Sequence, residues 1–182
     1  LSGLGNGYSG GTEISDGTLQ FGDAAGNGAL PPAGTINVNG TLATTISGTL
    51  ANDVSGPGGV TIRSNASVTF SGAKNYTGPT VVRGTVGSTL STTAASYPPG
   101  SRLVLGNQAG AAERGTVEFT AGHPVLSGLY AGDHSTPGDF VNFSAGDPEV
   151  ILLGHVRHGS SRPAGSSALS SRHCSPAPCG VS

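Results

Sequence analysis

The stretch that decides the fold is Ser71-Gly72-Ala73-Lys74-Asn75-Tyr76-Thr77-Gly78-Pro79-Thr80-Val81-Val82-Arg83-Gly84-Thr85-Val86. A second copy near the start of the chain is Ser2-Gly3-Leu4-Gly5-Asn6-Gly7-Tyr8-Ser9-Gly10-Gly11-Thr12-Glu13-Ile14-Ser15-Asp16-Gly17-Thr18-Leu19. With two single-residue gaps, both contain Ser-Gly, Asn, Tyr, Ser/Thr-Gly, Thr, an aliphatic residue, then Gly-Thr and a second aliphatic residue, in that order. Self-similarity of this length indicates a repeat architecture.

Short strands with alternating inward and outward residues extend this pattern along the chain. We predict strands at 12–15, 18–21, 35–39, 60–63, 68–70, 103–105, 117–119 and 150–153, separated by Gly, Asn, Asp and Pro. Strands this short cannot form a core alone. Stacked as coils of a solenoid, they would enclose an interior filled by Ile14, Leu19, Phe21, Ile36, Val38 and Leu42.

The repeat also predicts the number of coils and the place of its tyrosines. At roughly 20–29 residues a coil, a typical short-repeat period, the body forms about six coils. Tyr8 and Tyr76 occupy the same repeat position and are therefore expected at equivalent corners of different coils. A β-sandwich would also accommodate short strands, but it does not explain the repeated Asn-Tyr-Ser/Thr-Gly frame.

Composition independently favours an all-β fold. The 182 residues include 32 glycines, 23 serines and 18 threonines, and only 10% are charged. Glycine costs about 1 kcal/mol at each helix-interior position, whereas threonine and valine suit a pleated sheet. High glycine content is also typical of disorder, but disordered chains lack the regularly spaced aliphatic triplets found here.

Several functional classes are disfavoured by the same numbers. A net charge of -2 with no basic stripe argues against nucleic acid as a partner. No run of 18 or more apolar residues exists, so we expect no membrane-spanning segment. The chain has no methionine and no signal peptide, which suggests an internal fragment or a processed piece. The body contains no cysteine, which is consistent with export through an oxidising compartment.

The shared frame resembles the autotransporter-associated β-strand repeat, also called the passenger-associated transport repeat. The resemblance is best over residues 1–22 and 56–86, with looser rungs at 40–42, 115–119 and 126–154. We therefore predict that 1–154 is a right-handed, single-stranded parallel β-helix.

The resemblance implies a non-catalytic stalk segment of a secreted or outer-membrane surface protein of a bacterium. In that family the repeat is thought to assist passenger folding or secretion. The segment would then be fused to other passenger or translocator domains, and it would need no cofactor. Host or neighbouring-cell glycans or proteins are the expected partners, with the loop 107–114 as a candidate adhesive contact. The alternative is a carbohydrate-active β-helix enzyme, of the polysaccharide lyase or glycosidase kind.

Few residues are candidates for chemistry, and we assign no catalytic, cofactor-binding or metal-binding residue. The candidates weighed are the G-x-G-x-x-G of Gly5, Gly7 and Gly10, the carboxylates Asp133, Asp139, Asp147 and Glu149, the loop histidines His123 and His134, and the N-x-[ST] sites at Asn39, Asn65, Asn75 and Asn142. The glycines cannot open a helix, as a dinucleotide site requires. Three of the four carboxylates follow glycine, so turn capping is favoured, with weak calcium binding and acid-base catalysis as alternatives.

Residues 155–182 differ in character from the body. They contain His155, His158, His173, Cys174 and Cys179, but no strand pattern. We interpret this segment as a low-complexity tail that is disordered or results from a frameshift. A metal site or a local disulfide between the two cysteines is the alternative, although zinc needs four suitably spaced ligands.

Overall fold

The computed structural model describes residues 8, 10–23, 25, 27–30, 34–106, 113–131, 140–143, 151–152 and 156–158. The strands, in chain order, are β1 (Thr12–Ile14), β2 (Thr18–Phe21), β3 (Ile36–Val38), β4 (Thr41–Thr44), β5 (Gly48–Leu50), β6 (Val54–Gly56), β7 (Gly59–Ile62), β8 (Ser67–Phe70), β9 (Lys74–Tyr76), β10 (Thr80–Val82), β11 (Ser88–Thr92), β12 (Arg102–Leu105), β13 (Gly115–Phe119), β14 (Val125–Leu126), β15 (Gly128–Ala131), β16 (Phe140–Phe143), β17 (Ile151–Leu152) and β18 (Val156–His158). A single 3₁₀ turn, Ala94–Ser96, is the only helix in the described part of the chain. No helix there is long or apolar enough to cross a membrane.

The strands form parallel sheets that run along a solenoid. Sheet A has the order β1-β3-β6-β9, sheet B the order β18-β15-β12-β10-β7-β4-β2, and sheet C the order β16-β13-β11-β8-β5; β14 and β17 form a fourth, two-stranded sheet. All these strand pairs are parallel. The predicted parallel β-helix is thus confirmed, and the seven strands of sheet B are separated by six steps from coil to coil.

Coil length varies along the solenoid. In sheet B, Leu42 pairs with Val60, 18 residues later, whereas Leu129 pairs with Val156, 27 residues later. Strand β18 lies beyond the predicted boundary at residue 154 and pairs with β15, so the expected loss of strands after that boundary does not hold for 156–158. Residues 159–182 lie outside the described part of the chain.

The core consists of side chains stacked in columns from coil to coil. Because strand residues alternate between the two faces of a sheet, every second residue points inward and meets its counterpart in the next coil. Sheet C shows this clearly, since Val68, Leu90 and Val117 are paired in register and almost completely buried. Of the predicted interior residues, Ile14, Phe21, Ile36, Val38 and Leu42 are buried, and Leu19 is partly buried against the same core.

The two tyrosines of the repeat do not lie at equivalent corners, and that expectation is wrong. Both make the same local contact: the Tyr8 hydroxyl lies 2.9 Å from Thr12 Oγ1, and the Tyr76 hydroxyl lies 2.6 Å from Thr80 Oγ1. However, Tyr76 ends β9 of sheet A, and Thr80 begins β10 of sheet B. Tyr8 precedes sheet A, and Thr12 begins β1 of that sheet. The same frame therefore leads into sheet B in one copy and into sheet A in the other. The local frame fixes the hydroxyl contact but not the sheet.

Hydroxyl groups occupy the interior where sheet A ends. The Thr80 hydroxyl, which contacts Tyr76, is 3.4 Å from Ser101 Oγ. Tyr97 packs edge-on against Phe119, with ring centroids 5.4 Å apart. The Tyr97 hydroxyl is buried and has no partner with hydrogen-bond geometry in the described region. The nearby hydroxyls of Thr80 and Ser101 lower the pKa of Tyr97, but by less than burial raises it. Burial raises the pKa of Tyr97 to about 12.

Lys74 is a buried cation in the last strand of sheet A. Its side chain is 1% exposed, and its ammonium donates to the carbonyls of Asn52 at 2.8 Å, Ser71 and Gly72 at 3.2 Å. Burial lowers the pKa of Lys74 to about 8, and the negative charge of Asp53 partly opposes that shift. The carbonyls satisfy the donors of the ammonium, but they do not neutralise its charge.

Candidate functional site

Most of the sequence-based candidates lie outside the described residues. These are Gly5, Gly7, Asp133, His134, Asp139, Asp147, Glu149, His155, His173, Cys174 and Cys179. His123 is exposed between β13 and β14, and Gly10 is exposed just before β1. Asn142 and His158 fall within β16 and β18.

A groove of about 520 Å³ lies instead at the corner between sheets B and C, and we call it the corner groove. Its lining includes Gln20, Thr45, Arg63, Arg83 and Glu113. The volume lies within the range of small-molecule sites, roughly 300–1,000 Å³. The residues come from successive coils, so the groove crosses several rungs of the solenoid.

Backbone hydrogen bonds stack the lining residues on one another. Thr45, Arg63 and Arg83 each follow the last residue of a sheet B strand. The Arg63 amide donates to the carbonyl of Thr44 at 3.0 Å, and the Arg83 amide donates to the carbonyl of Ile62 at 2.9 Å. The ladder thus continues one residue beyond the sheet, and it places the two arginines on neighbouring rungs about 4.8 Å apart.

The two arginine side chains have different partners. The Arg63 guanidinium donates to the side-chain carbonyl of Gln20, which carries no charge. The Arg83 guanidinium lies 3.7 Å from the Glu113 carboxylate, and both side chains are partly exposed. Arg114 is next in the chain and is also partly buried. Positive charge therefore exceeds negative charge at this corner.

This concentration of charge is unusual for the chain. Residues 1–154 contain only five lysines and arginines, of which Arg63, Arg83 and Arg114 lie at this corner. Of the other two, Lys74 is buried in the core and Arg102 is exposed at the opposite end of its sheet B strand. The weak overall negative charge therefore conceals a local positive site.

Unpaired polar atoms also concentrate here. Four buried side-chain polar atoms lack a hydrogen-bond partner in the described region, and three of them are Arg83 Nε, Glu113 Oε2 and Arg114 Nε. Buried polar atoms in folded proteins are nearly always hydrogen-bonded; here Glu113 Oε2 is the atom that lies 3.7 Å from the Arg83 guanidinium, an ion pair rather than a hydrogen bond.

A strained turn forms one wall of the groove. Ser64 and Asn65 have φ values of 60° and 65°, in the left-handed region that non-glycine residues seldom adopt. The Asn65 side-chain oxygen accepts from the amides of Val86 at 2.8 Å and Gly87 at 3.2 Å. Asn65, considered above as part of an N-x-[ST] site, therefore ties one corner turn to the next.

Sequence inspection missed the two arginines, although a signal was present. Each follows a buried strand with the same pattern, Val60-Thr61-Ile62-Arg63 and Thr80-Val81-Val82-Arg83. The recurrence of arginine after three β-branched residues could have indicated stacking. Glu113 gave no such signal, because the loop before β13 differs in length from the other corner turns.

The groove offers hydrogen-bond donors and acceptors rather than a reactive centre. Its lining in the described region has one carboxylate, that of Glu113, whereas glycosidases of both stereochemical classes use a pair. No cluster of three or more His, Cys, Asp or Glu residues suited to a metal ion occurs among the described residues. The arrangement is chemically suited to binding a polar, negatively charged group.

Comparisons of the chain with protein-family models, curated proteins and solved structures gave no match. The likeness to the autotransporter-associated repeat therefore depends on the residues quoted above.

Proposed function

We propose that this chain is a non-catalytic stalk segment of a secreted or surface-displayed bacterial protein, whose repeats assist folding of the exported chain. The observation that carries the proposal is the unbroken parallel ladder of sheet B. Its seven strands, β2 to β18, extend through the whole described solenoid. Six steps of about 4.8 Å make this ladder about 29 Å long. Each coil contacts mainly its neighbours, so coils can fold one after another as a chain emerges.

The outward faces of two sheets are polar, as we expect for a hydrated stalk. Sheet A presents Glu13, Asn37, Ser55 and Asn75, and all four are exposed. Sheet C presents a column of hydroxyls in which Thr49 is paired with Thr69 and Thr69 with Ser91. Among the described residues, Tyr8 and Val86 are the exposed large hydrophobic side chains, so neither face has there the large apolar patch that is typical of a stable protein interface. Contacts with glycans or proteins would then depend on the corners, where the loops lie.

The carbohydrate-active alternative receives less support. A lyase or glycosidase on this fold needs acidic and basic groups arranged around the substrate. The corner groove has two arginines but a single carboxylate in the described region, and that carboxylate faces Arg83. We therefore propose binding without turnover.

An export assay tests the stalk proposal. The full chain is placed between a secretion signal and an autotransporter barrel in a Gram-negative host, and surface display is measured by accessibility to added protease. We expect efficient display of the wild type, loss of display for Val68→Asp, and retained display for Thr69→Asp. The two variants introduce the same charge into adjacent positions of β8, but Val68 is buried and Thr69 is exposed. Equal display of both variants, or failure of the wild type, would refute the proposal.

A further inference from the structure

We propose that the corner groove binds an acidic saccharide, with Arg63 and Arg83 pairing with its carboxylate and Glu113 accepting from its hydroxyls. This inference concerns the groove itself and holds whether or not the chain is exported or serves as a stalk.

The stacked arginines provide the first argument. Like charges on directly opposed residues of neighbouring strands destabilise a sheet, and Arg63 and Arg83 are on neighbouring rungs of one ladder. Only Arg83 faces a carboxylate. Arg63 pairs with a neutral amide, so its charge is not offset in the described structure. A bound anion would offset it, and guanidinium and carboxylate form strong, directional hydrogen bonds.

The mixed lining provides the second argument, and it defines the chemical class. Arg63 and Arg83 present guanidinium donors to the groove, and Glu113 presents a carboxylate acceptor. A carboxylate ligand satisfies donors only. A ligand that also pairs with Glu113 must donate hydrogen bonds, as sugar hydroxyls do. An acidic sugar combines both groups within one ring, whereas a fully ionised phosphate has no hydroxyl to donate to Glu113.

Loop length provides the third argument. Between sheets B and C the connecting segments have three residues after β4, four after β7, five after β10 and nine after β12. Between sheets A and B they have only two or three residues throughout. In solenoids, insertions in individual repeats gather on one face, which is often the binding face. The corner with variable segments is the corner that contains the groove.

The lining also excludes recognition by stacking. In the described region it contains polar and charged side chains and glycine, but no aromatic ring. Single-stranded nucleic acids are bound largely by stacking of bases on aromatic side chains, so the groove does not suit them. A run of acidic sugars along the solenoid axis does fit, because successive rungs would present polar groups to successive rings.

Titration calorimetry with the full chain tests the inference, using a short oligogalacturonate, the neutral oligogalactan of equal length, and polyphosphate. We expect binding of the oligogalacturonate that weakens as salt is added, and none of the neutral sugar. Arg63→Gln and Arg83→Gln should each weaken binding about ten- to hundredfold, the effect of losing a charged hydrogen bond. Arg102→Gln, which removes the same charge outside the groove, should leave affinity unchanged.

A variant with the opposite expected effect separates binding from misfolding. Glu113→Gln keeps an acceptor oxygen but removes the negative charge, so affinity for the oligogalacturonate should increase severalfold. Damage to the fold would instead weaken binding in every variant, and circular dichroism would detect it. Equal binding of the neutral sugar, an equal loss with Arg102→Gln, or tighter binding of polyphosphate with the same arginine dependence would each overturn the acidic-saccharide assignment.

Discussion

Replacing Lys74 with methionine should abolish a specific dependence of stability on pH. Lys74→Met keeps an unbranched side chain of similar length and removes the charge. In the folded protein the pKa of Lys74 is lowered to about 8, from an ordinary value of 10.5, because the ammonium is desolvated. Between these two values the unfolded chain binds the proton and the folded chain does not. The free energy of unfolding of the wild type therefore increases as pH rises from about 8 to about 10.

The size of this increase follows from the shift and from the position of the amine. Each pKa unit corresponds to about 1.4 kcal/mol. The Lys74 side chain is 1% exposed, so solvent screens its charge little, and the range from pH 8 to pH 10 covers most but not all of the shift. We expect the wild type to gain about 1–2 kcal/mol relative to Lys74→Met between pH 8 and pH 10. Above pH 10 both proteins should lose stability, because burial raises the pKa values of Tyr76 and Tyr97 and the folded state then retains protons that the unfolded state loses.

Urea unfolding followed by far-ultraviolet circular dichroism measures this difference at half-unit steps of pH. The relevant quantity is the free energy of unfolding of the wild type minus that of Lys74→Met. Both proteins share the tyrosines and all other titrating groups, so the difference isolates the lysine. A difference that stays constant from pH 7 to pH 10 would refute the reasoning, since Lys74 would then titrate alike in the folded and unfolded chains.

Three further predictions concern the free energy of unfolding at neutral pH, and the same urea titration measures them. Leu90→Ala should cost about 2–5 kcal/mol, whereas Thr89→Ala on the outward face of the same strand should change stability by less than about 0.5 kcal/mol; similar losses would contradict the inward stacking. Gly115→Ala should destabilise by about 1–3 kcal/mol, because its Cβ would lie 2.0 Å from a backbone oxygen of the preceding coil. Gly10→Ala, whose added Cβ would meet no described atom within 4 Å, should be neutral. Tyr76→Phe should cost about 1 kcal/mol by removing its buried hydroxyl contact, and an unchanged midpoint would argue against that bond.

The sequence was sufficient to predict the class of fold. Alternation within short strands, glycine at the corners and the shared frame all indicate stacked coils, and β2, β7 and β8 lie within one residue of the strands predicted there. Several strands were not predicted, among them β5, β6 and the five-residue β11. Of these, β5 and β6 are only three residues long and contain glycine, so they have almost no periodicity of their own. Strand β6 forms because both neighbouring coils supply hydrogen-bond partners, β3 and β9, whereas β5 ends sheet C and pairs with β8 alone in the described region.

The buried positions of polar residues could not be predicted in the same way. Lys74 belongs to the clearest copy of the repeat, where its charge would ordinarily indicate an outward residue. The register of sheet A pairs it with Val54, an inward position. Its burial depends on three backbone carbonyls near the end of the sheet, and local sequence carries no information about them. Tertiary context decides its orientation.

The variable corner explains why the groove was missed. The local frame Tyr-x-x-x-Thr gives no guide to it, because Tyr76 to Thr80 spans a segment between sheets A and B whereas Tyr8 to Thr12 precedes and enters β1. Segments between sheets B and C lengthen from three to nine residues, so no fixed period relates one coil to the next. Arg63 and Arg83 are stacked by backbone hydrogen bonds across that changing interval. A search for positive residues that directly follow aliphatic strands, rather than for a constant period, would therefore find such sites in irregular β-solenoids.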